Sequence, residues 1–150
     1  MKIKTIKTSA LLGAIAGLYL TVVFALNIAS FGTEIILIII YYIFNCFLLF
    51  SINLLLNKNN TRIAKILITI LVISVLVSFF VHFSFLDGGV NLFVFSVMGG
   101  IIMGMGKSLP FLGVIPVVLF FWGIISSFTL FFKKREELQL LNSNLTLKNK

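Results

Sequence analysis

Apolar residues in this chain gather into long runs separated by short polar breaks. A helix crossing ~30 Å of hydrocarbon needs about 20 mostly apolar residues. Four runs reach that length: residues 8–30, 35–56, 66–86 and 111–132. None shows the alternation of a barrel strand, so each is read as a helix that satisfies its own backbone polar groups. The run at 8–30 follows Lys2, Lys4 and Lys7, as the core of a signal peptide would. It is longer than the ~7–15 residues of such a core, so it is expected to stay as the first span.

The stretch VMGGIIMGMGKSLP, residues 97–110, breaks this pattern. It is too apolar for an ordinary loop and too rich in glycine for a comfortable core helix. Basic residues decide whether the segment around it, residues 91–106, is a fifth span, because Lys and Arg collect on the cytoplasmic side of a membrane. With four crossings and both termini inside, eleven basic residues share the inner face: Lys2, Lys4, Lys7, Lys58, Arg62, Lys65, Lys133, Lys134, Arg135, Lys148 and Lys150. Only Lys107 then lies outside. Five crossings would split the basic residues seven to five and put the KKR at 133–135 on the wrong side. Four spans are therefore expected, with residues 91–106 re-entering the membrane or lying at its interface before the last helix. The predicted fold class is an all-α integral membrane four-helix bundle. Residues 1–132 form its transmembrane domain and residues 133–150 a cytoplasmic tail.

Composition sharpens this picture. The chain is 60% hydrophobic and 11% charged, with 17 Phe, and its mean hydropathy is +1.19. Soluble domains are about half apolar and a quarter charged, and this chain could not hide its apolar surface in water. The net charge of +8 comes from residues that flank apolar runs. That distribution suits contacts with anionic lipid and argues against direct nucleic-acid binding. Phe, Ile, Leu, Asn and Lys are abundant while Arg and Pro are scarce, the bias of AT-rich genes, which suggests a bacterial or mobile-element origin; the expected location is a bacterial inner membrane. The lone Cys46 allows no internal disulfide.

Small residues supply the next candidates. Ser9, Gly13, Gly17 and Thr21 recur every four residues in the first run, and Ser96, Gly100, Gly104 and Ser108 do so near the last. Such ridges let helices approach closely, within one chain or between copies. Asn45 lies mid-span beside Cys46 and is expected to clamp a neighbouring helix through its amide. Asn53 reads as interfacial. Tyr41 and Tyr42 are too deep for an interfacial belt, so their hydroxyls should point at another helix. Trp122 reads as a packing anchor. Pro116 should kink the last span, and Pro110 should start it.

Chemistry is sparse. Glu34, His82 and Asp87 could together form a metal or proton site, but their spacing fits no motif and polar residues at an interface need no special reason. There is no GxSxG, HExxH, Walker loop or Cys/His cluster. No catalytic residue, cofactor or metal is expected. In the tail, Leu138, Leu141 and Leu145 repeat at helical spacing after Lys133, Lys134 and Arg135. This stub should continue the fourth span by a turn or two and either dock a cytoplasmic protein, lie on the membrane, or fray.

Span count, size and AT-rich composition over the whole chain resemble the small four-span membrane subunits of bacterial anti-phage systems, of the Kiwa membrane-subunit type. No motif carries the resemblance, so it transfers no functional residue. It implies a non-enzymatic, homo-oligomeric (dimeric or tetrameric) membrane subunit that works with a soluble effector in phage defence. The rival expectations are a small channel or transporter, and an immunity protein against a pore-forming toxin.

Overall fold

The computed structural model describes residues 3–27, 35–83, 90–104 and 111–148. Among them are five helices: α1 (Ile3–Leu26), α2 (Ile35–Asn57), α3 (Thr61–Ser78), α4 (Leu92–Gly104) and α5 (Phe111–Lys148). Four of these are long and apolar enough to cross a membrane; α4 is the short one. The chain is thus an all-α, multi-pass membrane bundle. α1 is its central member, packed along both α5 and α2, while α3 leans chiefly on α2 and α4 fits against α5 and α1.

Apolar side chains cover both the inside and the outside, as hydrocarbon demands. Leu20, Phe24, Tyr42, Leu49, Ile52, Phe120 and Leu130 are buried in the core. Val22, Phe47, Ile73 and Ile125 point outward. Hydroxyls on the helices are kept within them: Thr8, Thr21 and Thr129 donate to the carbonyls of Lys4, Gly17 and Ile125, each at 3.0 Å. This local bond removes the cost of carrying a polar side chain in lipid.

The helix limits differ from the apolar runs in three places. α1 starts five residues before residue 8 and takes in Lys4 and Lys7. The third helix runs over Thr61–Ser78 rather than 66–86. Asn60 fixes its start by accepting from the Ile63 amide at 3.3 Å, an N-cap that lets Arg62 and Lys65 join the first turns. The preceding turn needs a residue at φ 56, and Asn59 supplies it, since asparagine tolerates the left-handed region. At the other end the helix tightens as the Phe79 and Phe80 amides bond the Leu76 and Val77 carbonyls. The chain then turns into a two-residue antiparallel ladder, pairing His82 with Asn91 and Phe83 with Val90. The apolar run continues past Ser78, but its described residues, 79–83, lie in this turn and ladder rather than in helix.

The third difference is the largest. Instead of ending near residue 132 with a short stub, α5 continues unbroken to Lys148. Its 38 residues extend over about 57 Å at ~1.5 Å per residue, and neither a frayed end nor a helix lying apart on the membrane describes this segment. Pro116 sits inside the helix near its start.

The glycine-rich segment is α4, a 13-residue helix. At ~1.5 Å per residue it reaches only about 20 Å, short of a full crossing. Asn91 caps it by accepting from the Val94 amide at 2.8 Å, and the Leu92 amide ties it to the Val81 carbonyl at 2.7 Å.

Candidate functional site

The small residues bring the helices together inside one chain. Gly13 of α1 faces Gly123 of α5 backbone to backbone; a Cβ on Gly123 would stand 2.5 Å from the Gly13 Cα. One turn along α1, Gly17 receives the Cys46 sulfur and the ring of Phe120, whose edge a Cβ would meet at 2.8 Å. Gly100 of α4 faces Val117 and Leu20, and Gly99 faces the Phe24 ring. The two ridges therefore meet other partners more than each other. Gly123 did not figure among the sequence candidates, although Gly123 and Ser127 have the same four-residue spacing. Ser127 is buried and donates to the Gly123 carbonyl at 3.0 Å. Gly104 ends α4, and Ser108 lies outside the described residues.

Above this seam, Tyr42 is the hub. Its hydroxyl donates to the Ser96 carbonyl at 3.0 Å, joining α2 to α4. Its ring stacks on Phe24 at 5.7 Å and meets Phe120 edge-on at 5.0 Å. The contacts continue through Phe121 and Phe93 to Phe79, so one train of rings touches all five helices or the turn that follows α3. Aromatic pairs contribute about 0.5–1.5 kcal/mol each beyond burial. This train, with the Tyr42 bond, holds the short α4 against the longer helices.

The two asparagines exchange their expected roles. Asn45 is fully buried, but its amide donates to the Tyr41 carbonyl of its own helix at 2.8 Å. It is not an interhelical clamp. The reason is geometric: Gly17 draws Cys46 toward α1, which leaves Asn45 one position round the helix, near its own preceding turn. Asn53 does bridge helices, donating across to the Lys7 carbonyl of α1 at 3.4 Å. Among the described residues, three buried side-chain polar atoms complete no hydrogen bond: the Tyr41 hydroxyl, Asn45 Oδ1 and Asn53 Oδ1. All belong to α2, at positions 41, 45 and 53.

Trp122 is 48% exposed and faces outward, so it is no core anchor. Glu34 and Asp87 lie outside the described residues, and His82 is described only in its backbone pairing. Among the described residues no charged side chain is buried.

Charge collects instead at one end of the bundle. The start of α1, the turn from α2 to α3 and the middle of α5 meet there, bringing together Lys4, Lys7, Lys58, Arg62, Lys65, Lys133, Lys134 and Arg135. Lys134 pairs with Glu137 at 3.0 Å. Ile3 packs beside Lys133, Glu137 and Leu140, so the first turn of α1 braces α5 where it leaves the bundle. Around and after that brace, Arg135, Leu140 and Leu141 are exposed and Leu138 is half-buried.

At the opposite end, a groove of about 370 Å³ opens sideways between α2 and α3. Leu37, Ile40, Phe44, Ile73 and Val77 form its walls, and Tyr41, Ser74 and Ser78 supply its few polar atoms. No spacing along the chain marks this groove, because Tyr41 and Ser78 meet only when α2 and α3 pack. Comparison with protein-family models, with curated proteins and with solved structures finds no match to this chain.

Proposed function

We propose that this protein is a non-enzymatic membrane subunit that anchors a soluble cytoplasmic protein, in an assembly of the phage-defence kind that its architecture resembles. The observation that carries the reading is α5. One continuous helix leaves the apolar bundle past a ring of basic residues and presents Leu140 and Leu141, 59% and 58% exposed, outside it. Exposed leucines on a helix beyond the lipid suit a helix-in-groove contact, in which apolar anchors enter a partner's cleft. The basic end faces the cytoplasm of a bacterial cell in this reading, following the bias of Lys and Arg toward that side.

Self-association draws no support from Gly13, Gly17 or Gly100, which are covered within one chain. The channel reading draws little support from a core in which α1 and α5 touch through backbone.

The test is co-purification with the soluble protein encoded next to this one. Deletion of residues 134–150, and the paired change Leu140→Ser and Leu141→Ser, should each abolish the complex and leave membrane insertion intact. Retention of the partner by both variants would refute the anchor. So would a reporter fused after Lys150 that is active only outside the cytoplasm.

A further inference from the structure

We propose that the turn joining α2 to α3 is a binding site for the head group of an anionic phospholipid, held by Lys58, Arg62 and Lys65. The inference stands apart from the anchoring role and needs only that the bundle sits in a bilayer. It rests on how the charges at the basic end differ from one another. On α5, Lys133, Lys134 and Arg135 are followed directly by Glu136 and Glu137. Lys134 is paired with Glu137 at 3.0 Å, and both Lys133 and Lys134 are half-buried. Lys7 of α1 is half-buried too. Lys58, Arg62 and Lys65, in contrast, are all exposed. No acidic residue occurs from residue 35 to residue 86, so neither α2 nor α3 holds a counter-charge for them.

The fold gathers these three cations at head-group depth. The Lys58 amide bonds the Leu54 carbonyl at 3.2 Å, so Lys58 continues the pitch of α2. Asn59 at φ 56 then turns the chain and Asn60 caps α3, which sets Arg62 and Lys65 three residues apart on its first turns, where they are neighbours. Positions 58 and 62 would lie within about 14 Å even if the chain between them were extended. The 18 residues of α3 cover only about 27 Å, so its first turns meet the edge of the hydrocarbon. Cations are disfavoured at the start of a helix, where the backbone already presents positive charge. Their placement works against α3 until an anion arrives. Along the same helix, Ile63, Ile66 and Ile70 are 45%, 56% and 36% exposed and form an apolar stripe for an acyl chain. A soluble anion would use the charges alone, while a phospholipid uses charges and stripe together. A zwitterionic head group brings its own cation, which the three basic groups repel.

The test uses the whole protein reconstituted in bilayers of phosphatidylcholine and phosphatidylglycerol with matched acyl chains. Ile66→Trp, combined with Trp122→Phe, places one indole on the stripe. Brominated chains quench it, and moving the bromine from one lipid to the other gives their relative affinity at α3. Each basic group near an anionic surface contributes about a five-fold gain, so phosphatidylglycerol should be favoured about five-fold or more. Lys58→Gln, Arg62→Gln and Lys65→Gln together should abolish that preference, whereas Lys133→Gln, Lys134→Gln and Arg135→Gln together should leave it unchanged. Salt gives a second measurement that needs none of these charge substitutions. Raising ionic strength from about 0.1 M to 1 M shortens the screening length from about 10 Å to 3 Å, and most of the preference should disappear. Equal affinity for the two lipids at low salt would overturn the proposal. So would a preference that survives the α2–α3 substitutions, that is lost through those on α5, or that persists at high salt. Loss of the preference on adding excess glycerol phosphate would overturn it in favour of a soluble anion.

Discussion

Replacing Gly123 with alanine puts a methyl group where α1 and α5 touch. The new Cβ would stand 2.5 Å from the Gly13 Cα, and 3.3 Å from both the Gly13 nitrogen and carbonyl carbon. Carbon atoms in good contact sit about 3.5–4.0 Å apart, so the helices must separate by about 1 Å or more. Both partners are backbone, and no side chain can swing aside. Overpacking of this kind costs about 1–3 kcal/mol, partly offset by alanine's advantage in a helix of up to ~1 kcal/mol. The net expectation is a loss of about 1 kcal/mol, or roughly 2–4 °C in Tm for a chain of this length. Gly99→Ala is the control. Its Cβ would meet the Phe24 ring at 3.1 Å and 3.2 Å and the Phe95 ring at an ordinary 3.7 Å, and a ring edge can shift by the few tenths of an ångström required. That variant should be near neutral. Thermal unfolding in detergent, followed by circular dichroism, measures both. A Gly123→Ala protein as stable as Gly99→Ala would refute the reading that backbone contact holds α1 on α5.

Tyr42→Phe keeps the ring train but removes the bond to the Ser96 carbonyl; it should cost about 1 kcal/mol and speed hydrogen exchange in α4 before any other helix. Asn45→Leu removes a buried, half-satisfied amide and should leave stability unchanged or raise it by about 1 kcal/mol, read as Tm in the same detergent. Spin labels at Ile125 and Leu141, in a Cys46→Ser background, should show one narrow distance set by 16 residues of helix, about 24 Å between backbone positions; a broad or shorter distribution would show that α5 breaks near the basic end. Cys46 is buried beneath Gly17 and should react with a maleimide only on unfolding.

Most of the architecture was legible because lipid imposes simple rules. The lengths of the apolar runs in α1, α2 and the first part of α5 fix spanning helices, and charge counting set the glycine-rich segment apart from them. Two boundaries were not legible. Hydropathy does not distinguish a helix from the turn and ladder after Ser78, where Phe79 to Phe83 stay mostly apolar. It also says nothing about α5 beyond Lys133, where the residues turn polar but still favour helix. For the site, the four-residue spacing revealed Gly13, Gly17 and Gly100 but not which helix each would meet. Tyr41, Asn45 and Asn53 were visible as polar residues in an apolar run. Which of them bridge helices depends on the rotation of α2, and that is set by Gly17 drawing Cys46 and Phe120 close.

The continuity of α5 has a mechanical consequence. Because α5 crosses α1 at a contact without intervening side chains, Gly13 and Gly123 act as a fulcrum, and 25 residues of helix lie between Gly123 and Lys148. At ~1.5 Å per residue that arm is about 38 Å long, so a tilt of about 10° displaces its tip by about 7 Å. A disturbance of bilayer thickness or tension that tips α5 within the lipid would arrive at the far end as a displacement larger than the one that caused it.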